Sequence, residues 1–281
     1  VLVEKPLSAP DLHGAQELFD EANKSGCYVF VGYDHAISKS ALMIYESLLD
    51  KSYGSIETLD VEFREFWGGI FKAHPWLDGP SDSYLGFWKK GGGACGEHSH
   101  AINLFQNFAE KSNIGRVVEV SAFMNYVEND ELSYDSNCLM SFLTEKNIIG
   151  RVVQDVLTQP TRKWARIQCK EGFLEWHCGS KPGVDSVIRG RNNGKHYTDE
   201  VVKTRMDDFY EEMQHIMLAI NDDDVYKKSP ISLKKGLETM LVIAAAHLSS
   251  KNKCIVSIDY NNGYTLDSLS FLPKGVNHEQ I

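Results

Sequence analysis

The sequence predicts an α/β plus α+β chain: the end of a doubly wound parallel sheet, then a domain with a large open, mainly antiparallel sheet and flanking helices. Three features carry this expectation. A strand, a helix and a second strand follow one another within the first 32 residues, the size of one βαβ unit. Near Gly54 the apolar period changes from that of a helix to two. Several alternating runs then succeed one another with short turn signals between them, as antiparallel strands do.

Val1-Leu2-Val3 reads as a buried strand, apolar throughout as strands covered on both faces are, and Glu4-Lys5-Pro6 ends it. Asp11 to Lys24 has helical spacing, with Leu12, Ala15, Leu18, Phe19 and Ala22 on one side and Ser25-Gly26 as its stop. Cys27 to Gly32 is the next strand and Ser40 to Leu49 the next helix. Beyond Gly54, apolar Leu59, Val61, Phe63 and Trp67 alternate with Asp60, Glu62 and Arg64, which divides the chain into residues 1–53 and 54–281. Strands are predicted at Val117 to Val127, Leu139 to Leu143, Gly150 to Thr158, Lys163 to Cys169 and Phe173 to Cys178. Two helices follow. Thr204 to Ile220 carries one stripe of Met206, Phe209, Met213, Ile216, Met217 and Ile220, with Glu212 and His215 expected on its solvated side. Leu233 to Ser250 is introduced by Ser229-Pro230.

Composition narrows the function. The 281 residues are 42% hydrophobic and 24% charged, which suits an ordinary globular chain. A net charge of −10 repels a phosphate backbone, so nucleic acid is not an expected partner. No apolar run approaches the roughly 20 residues needed to span a bilayer, so a membrane is not expected either. The six cysteines form no C-x-x-C pair, which argues against a zinc ribbon and a disulfide framework and fits reduced thiols in the cytoplasm. No metal is expected.

The most informative stretch is Gly91-Gly92-Gly93-Ala94-Cys95-Gly96-Glu97-His98-Ser99-His100-Ala101-Ile102-Asn103. Glycines permit close approach of backbone to a neighbour, and the residues after them continue as a helix. If that helix is continuous, Glu97 and His100 share a face, whereas His98 and His100 point apart. A histidine beside a carboxylate suits removal of a hydroxyl proton; the plainer reading is a packed or capping histidine. Lys5 stands at the carboxyl end of a parallel strand, where open α/β sheets place their ligand crevice, and can polarise a substrate oxygen there.

Together these segments resemble the glucose-fructose oxidoreductase, inositol dehydrogenase and rhizopine-catabolism family of nicotinamide-dependent sugar dehydrogenases. The resemblance covers the whole chain. It rests on Glu4-Lys5-Pro6, Val31-Gly32-Tyr33-Asp34-His35, the glycine-triplet segment, and Ser229-Pro230-Ile231-Ser232 with Leu241 to Ser250. It implies a nicotinamide-dependent dehydrogenase of a sugar, sugar derivative or polyol, with NAD or NADP as cofactor. Residues 1–53 become the C-terminal part of a Rossmann dinucleotide-binding domain, and 54–281 a domain for substrate binding and oligomerisation. Lys5 and His100 become catalytic, helped by Glu97. Glu4, Lys5, Pro6, Tyr33, Asp34 and His35 are candidates for cofactor contact. Lys5, Trp67, Trp76, His98 and His100 are candidates for the sugar, since aromatics with one polar edge suit sugar rings. A homo-oligomer, dimer or tetramer, through the antiparallel sheet is also expected.

Two positions depart from the family's pattern. Gly96 stands where an aspartate is common, four residues before the histidine, and Ala36 stands where an arginine is often found. The G-x-G-x-x-G fingerprint, which holds pyrophosphate at a helix N-terminus after the first strand of a βαβ unit, is missing in that setting: Gly91 to Gly96 has the glycine spacing but follows no βαβ strand, and Gly190 to Gly194 lies among strand and turn signals. The expectation is therefore an N-terminally incomplete oxidoreductase. Its rival is a non-catalytic sugar-binding or oligomerising accessory protein. A di-iron carboxylate site from Glu97-x-x-His100 and Glu212-x-x-His215 would need four long facing helices, which the many strands exclude.

Overall fold

The computed structural model describes residues 1–272. Strands β1 (Leu2–Val3) and β2 (Phe30–Val31) pair in parallel, and α1 (Ala15–Ser25) crosses between them. The first strand is not buried as its apolar sequence implies. Leu2 is exposed, because β1 pairs with β2 alone among the described residues. Helix α1 starts later than the apolar spacing suggests, since Leu12 and Gly14 take φ of 59° and 73° and turn the chain first. Leu12 still packs in the core.

Helix α2 (Lys39–Leu48) opens on Ser38, whose Oγ accepts from the Ala41 N–H at 3.3 Å. There follow β3 (Ile56–Arg64), α3 (Gly68–Ala73), α4 (Gly93–Glu97), α5 (His100–Lys111), β4 (Val117–Glu128), β5 (Ser133–Thr144), β6 (Ile149–Asp155), β7 (Arg162–Cys169) and β8 (Gly172–Lys181). Next come β9 (Val184–Arg191), β10 (His196–Val202), α6 (Arg205–Ala219), α7 (Asp223–Lys227), α8 (Leu233–Asn252), β11 (Val256–Ile258) and β12 (Leu269–Phe271).

Ten strands form one sheet in the order β10-β9-β8-β7-β3-β6-β5-β4-β11-β12. All pairs are antiparallel except β3 with β6. Register sets one row of side chains across it: Ala122, Met140, Val152, Val61, Ala165, Trp176 and Val187, all buried. Period two puts the neighbouring row, with Phe123 and Leu139, on the opposite, open face. Helices α2, α5 and α8 cover the buried face, where Phe105 meets Phe142 edge-on with ring centroids 4.9 Å apart. Helix α8 is apolar on nearly every side from Leu237 to Ala246 and is accordingly enclosed. The segment before it returns to the small sheet, where Val31 N–H donates to Ile231 O at 2.8 Å.

Helix α6 is turned opposite to its apolar stripe. Met206 is 77% exposed, and Phe209, Met213 and Met217 are exposed too, while Asp208 and Glu212 are buried. His215 is half-buried, its Nε2 2.7 Å from Ser229 Oγ. Electrostatics decides the orientation. Lys203 reaches Asp208 at 2.7 Å, and Arg205, which also lies near Asp208, pairs with Asp34, so the polar side faces inward.

Candidate functional site

The end of β1, the turn after β2, α3, the α4–α5 bend, the ends of β3, β7, β8 and β9, and the start of α6 meet at one cavity of about 580 Å³. Its wall carries Lys5, His35, Glu65, Glu97, His98, His100, Lys163, Asp185, Lys203, Arg205 and Asp208.

Close backbone approach builds the first half. A Cβ on Gly91 would stand 2.8 Å from Pro6 Cγ, so the glycine triplet lies against the Glu4-Lys5-Pro6 segment. That contact sets Lys5 Nζ 3.0 Å from Glu97 Oε1 and lets it donate to the Glu97 carbonyl at 2.7 Å. The Tyr84 hydroxyl donates to Glu97 Oε2 at 3.1 Å. Burial, and then the Glu97 charge, raise the Tyr84 phenol and keep it protonated. Gly96 fits because a side chain there would collide with the Gly91 carbonyl. An aspartate at this position is sterically excluded.

The α4–α5 bend separates what a continuous helix would have joined. Helix α4 ends at Glu97 and α5 begins at His100, so Glu97 turns to Lys5 and Tyr84 while His100 turns to Asp34. Asp34 opens a short 3-10 turn after β2 with its carboxylate inward. Its Oδ1 lies 3.6 Å from His100 Nδ1 and 3.0 Å from His35 Nδ1, and Arg205 Nη1 donates to its Oδ2 at 2.6 Å. Burial alone would raise the Asp34 carboxyl, but His35, His100 and Arg205 hold it well below the usual range. Burial, then the charge of His35, drives the His100 imidazole well below its ordinary value and favours its neutral form. His98 is pushed down to about 4, mainly by burial. The His35 and His100 rings stack with centroids 4.8 Å apart, and Phe63 continues the stack.

The opposite wall was not foreseen. Lys163 Nζ lies 2.9 Å from Glu65, and Lys203 joins Asp185 at 2.9 Å to Asp208 at 2.7 Å. Burial opposes the Lys163 charge, yet Glu65 outweighs it and the ammonium is held. The signal was present in the alternation: Lys163 shares its strand face with Ala165 and Ile167, which point inward. Asp208 and Glu212 likewise lie four apart on one side of α6.

Several predicted residues stand elsewhere. Tyr33 is fully buried and its hydroxyl donates to Ser99 Oγ at 3.4 Å, so it braces the bend from beneath. Trp67 packs with Phe71 and Tyr134 in a separate cluster, and Trp76 is 72% exposed against the His74 ring. Neither tryptophan lines the cavity; His74 does.

The residues present fit the nicotinamide end of a dinucleotide. Lys5 is at the carboxyl end of a parallel strand, where such crevices lie, beside the two histidines. At the end of β2, Gly32 leaves the backbone bare beside Glu4, since a Cβ there would be 3.1 Å from Glu4 Oε2.

No protein-family model matches the chain, and no curated protein matches its sequence. Solved structures match its fold. An NAD binding oxidoreductase from Klebsiella pneumoniae aligns with TM-score 0.72 at 17% identity over 92% of this chain and 73% of that one. Aldose-aldose oxidoreductase from Caulobacter crescentus, complexed with glycerol, aligns with TM-score 0.70 at 15% identity over 92% and 72%. An inositol dehydrogenase homolog from Azotobacter vinelandii, complexed with NADH and myo-inositol, aligns with TM-score 0.68 at 16% identity over 92% and 71%. The small parallel sheet joined to a large, mostly antiparallel one is thus a fold this chain shares with oxidoreductases.

Proposed function

We propose that the chain is the substrate-side part of an NAD- or NADP-dependent oxidoreductase that acts on a CH–OH group of a sugar, sugar derivative or polyol. Residues 1–53 form the end of its dinucleotide domain and 54–281 its substrate domain. The observation that carries this reading is the convergence of Lys5 and His100 on one cavity at the end of a parallel strand, with the buried Asp34 carboxylate 3.6 Å behind His100. When bound, the nicotinamide supplies the acceptor or donor of hydride. His100 takes the hydroxyl proton on Nε2, with Nδ1 turned to Asp34. Lys5, fixed by Glu97, holds the reacting oxygen and favours negative charge on it.

The wall chemistry supports a neutral substrate. Lys5, Lys163, Lys203 and Arg205 each have a carboxylate partner, so among the described residues no lining lysine or arginine is free for a carboxylate or phosphate. Paired donors and acceptors suit vicinal hydroxyls instead. Phe123, Leu139 and Ile149 on the open sheet face, exposed by 75%, 47% and 65%, support a homo-oligomer through that face. Among the described residues no helix is long and apolar enough to cross a membrane; we propose a cytoplasmic protein.

The test is titration of the protein expressed from its native gene with NAD and NADP, followed by absorbance assays with neutral polyols, aldoses and the matching sugar acids. Cofactor binding with turnover of a neutral polyol or aldose is expected. Absence of cofactor binding would replace the enzyme by a sugar-binding accessory protein.

A further inference from the structure

Four buried polar atoms converge beside the cavity without hydrogen-bond partners among the described residues: Asp34 Oδ1, both nitrogens of His35, and His100 Nδ1. Leaving such atoms unpaired is unfavourable, since each has given up water without gaining a partner. One ligand atom from each residue lies within 4.8 Å of the other two. Asp34 Oδ1 is 3.0 Å from His35 Nδ1 and 3.6 Å from His100 Nδ1. These separations bracket the edge of a tetrahedron with bonds of 2.0–2.1 Å, about 3.3 Å.

We propose that Asp34, His35 and His100 form a binding site for a divalent transition ion of the zinc class, with its fourth position open to the cavity. Two imidazoles and one carboxylate suit such an ion and do not suit magnesium or calcium, which prefer oxygen donors. The surroundings agree. Arg205 holds the second Asp34 oxygen at 2.6 Å, the outer contact that orients a ligating carboxylate. Lys5 and Lys163 are matched by Glu97 and Glu65, so their charges do not stand unopposed beside the ion. The site departs from the sequence expectation of no metal because its ligands come from separate segments with no metal-binding spacing. Coordination at His100 Nδ1 confines the imidazole proton to Nε2, where the ring then donates and cannot accept. Occupancy therefore competes with the proton transfer proposed above, although binding itself does not depend on that reading.

The experiment is calorimetric titration of chelator-washed protein with Zn²⁺ and, separately, Mg²⁺, without cofactor or substrate. One equivalent of Zn²⁺ and no Mg²⁺ is expected, with affinity at least tenfold weaker in His35→Gln and in Asp34→Asn and unchanged in Cys178→Ser, which removes another potential ligand on the wall. No Zn²⁺ binding, equal binding in both ligand variants, or loss in Cys178→Ser overturns the site. Should the ligand variants fail to fold, anomalous diffraction at the zinc edge from Zn²⁺-soaked wild-type crystals decides. A peak between the three side chains supports the site, and its absence there refutes it.

Discussion

Lys5 is tied twice to Glu97, through the carboxylate at 3.0 Å and the main-chain carbonyl at 2.7 Å, so the small parallel sheet holds the α4–α5 bend at the wall of the cavity. Lys5→Met is expected to lower kcat by ~10²–10³, the usual effect of removing one group that stabilises a developing oxyanion. Glu97→Gln leaves the carbonyl contact and should cost about tenfold in kcat/KM, or ~1.4 kcal/mol. Steady-state kinetics on the two variants checks this order; equal losses would show that Glu97 does more than orient Lys5.

His100→Gln is expected to reduce turnover by ~10²–10⁴, the range for general acid–base help. Asp34→Asn should reduce it less, because the imidazole remains while its carboxylate neighbour is lost. Wild-type turnover in His100→Gln removes the assignment.

Gly96→Asp restores a residue common at this position in the family the sequence resembles, yet it should destabilise the fold. Its side chain meets the Gly91 carbonyl, and overpacked sites cost ~1–3 kcal/mol. Urea denaturation of this variant against wild type measures the loss.

His247 gives a pH signature outside the cavity. Its ring is buried against Trp88 at 4.7 Å, and Tyr126 Oη lies 2.9 Å from Nδ1. Burial first, then Lys251, push its pKa down to about 3. A histidine held neutral when folded and free to charge when unfolded adds stability that is complete above pH ~6.5 and is lost as pH falls toward ~3, up to about 4 kcal/mol. His247→Gln should flatten that limb in unfolding free energies measured from pH 4 to 7.

The open sheet face makes the oligomer testable. Phe123→Glu should halve the mass of the assembly in light scattering, or lower it further, with the secondary structure unchanged. An unaltered mass would place the contact elsewhere.

The sheet was legible because its inward rows alternate cleanly: Leu59, Val61 and Phe63 are all buried as the pattern requires. The edge strand β10 and its neighbour β9 were not. Tyr197 and Val202 of β10 are exposed with their polar neighbours, so one face never reads as apolar. Helix α6 was read inside out, because periodicity shows that a stripe exists and not which side a cluster of charges pulls inward. In the candidate site, the motifs single out Lys5 and His100, and both line the cavity. The pairing of His100 with Asp34 rather than Glu97 depends on a helix break at His98-Ser99 that spacing alone does not reveal.

The parallel pairing of β3 with β6 has a consequence for the order in which the chain assembles. Strands β4 to β6 and β7 to β10 are meanders of sequential neighbours, whereas β3 joins them at the centre and finds its partners about ninety residues downstream, as with Thr58 opposite Ile149. Local pairings close faster than distant ones. The two meanders are therefore expected to gain amide protection before β3 in pulse-labelled hydrogen exchange. A chain emerging from the ribosome carries β3 without both of its neighbouring strands until the segment through Cys169 has followed, and β3 is the segment on which a chaperone is expected.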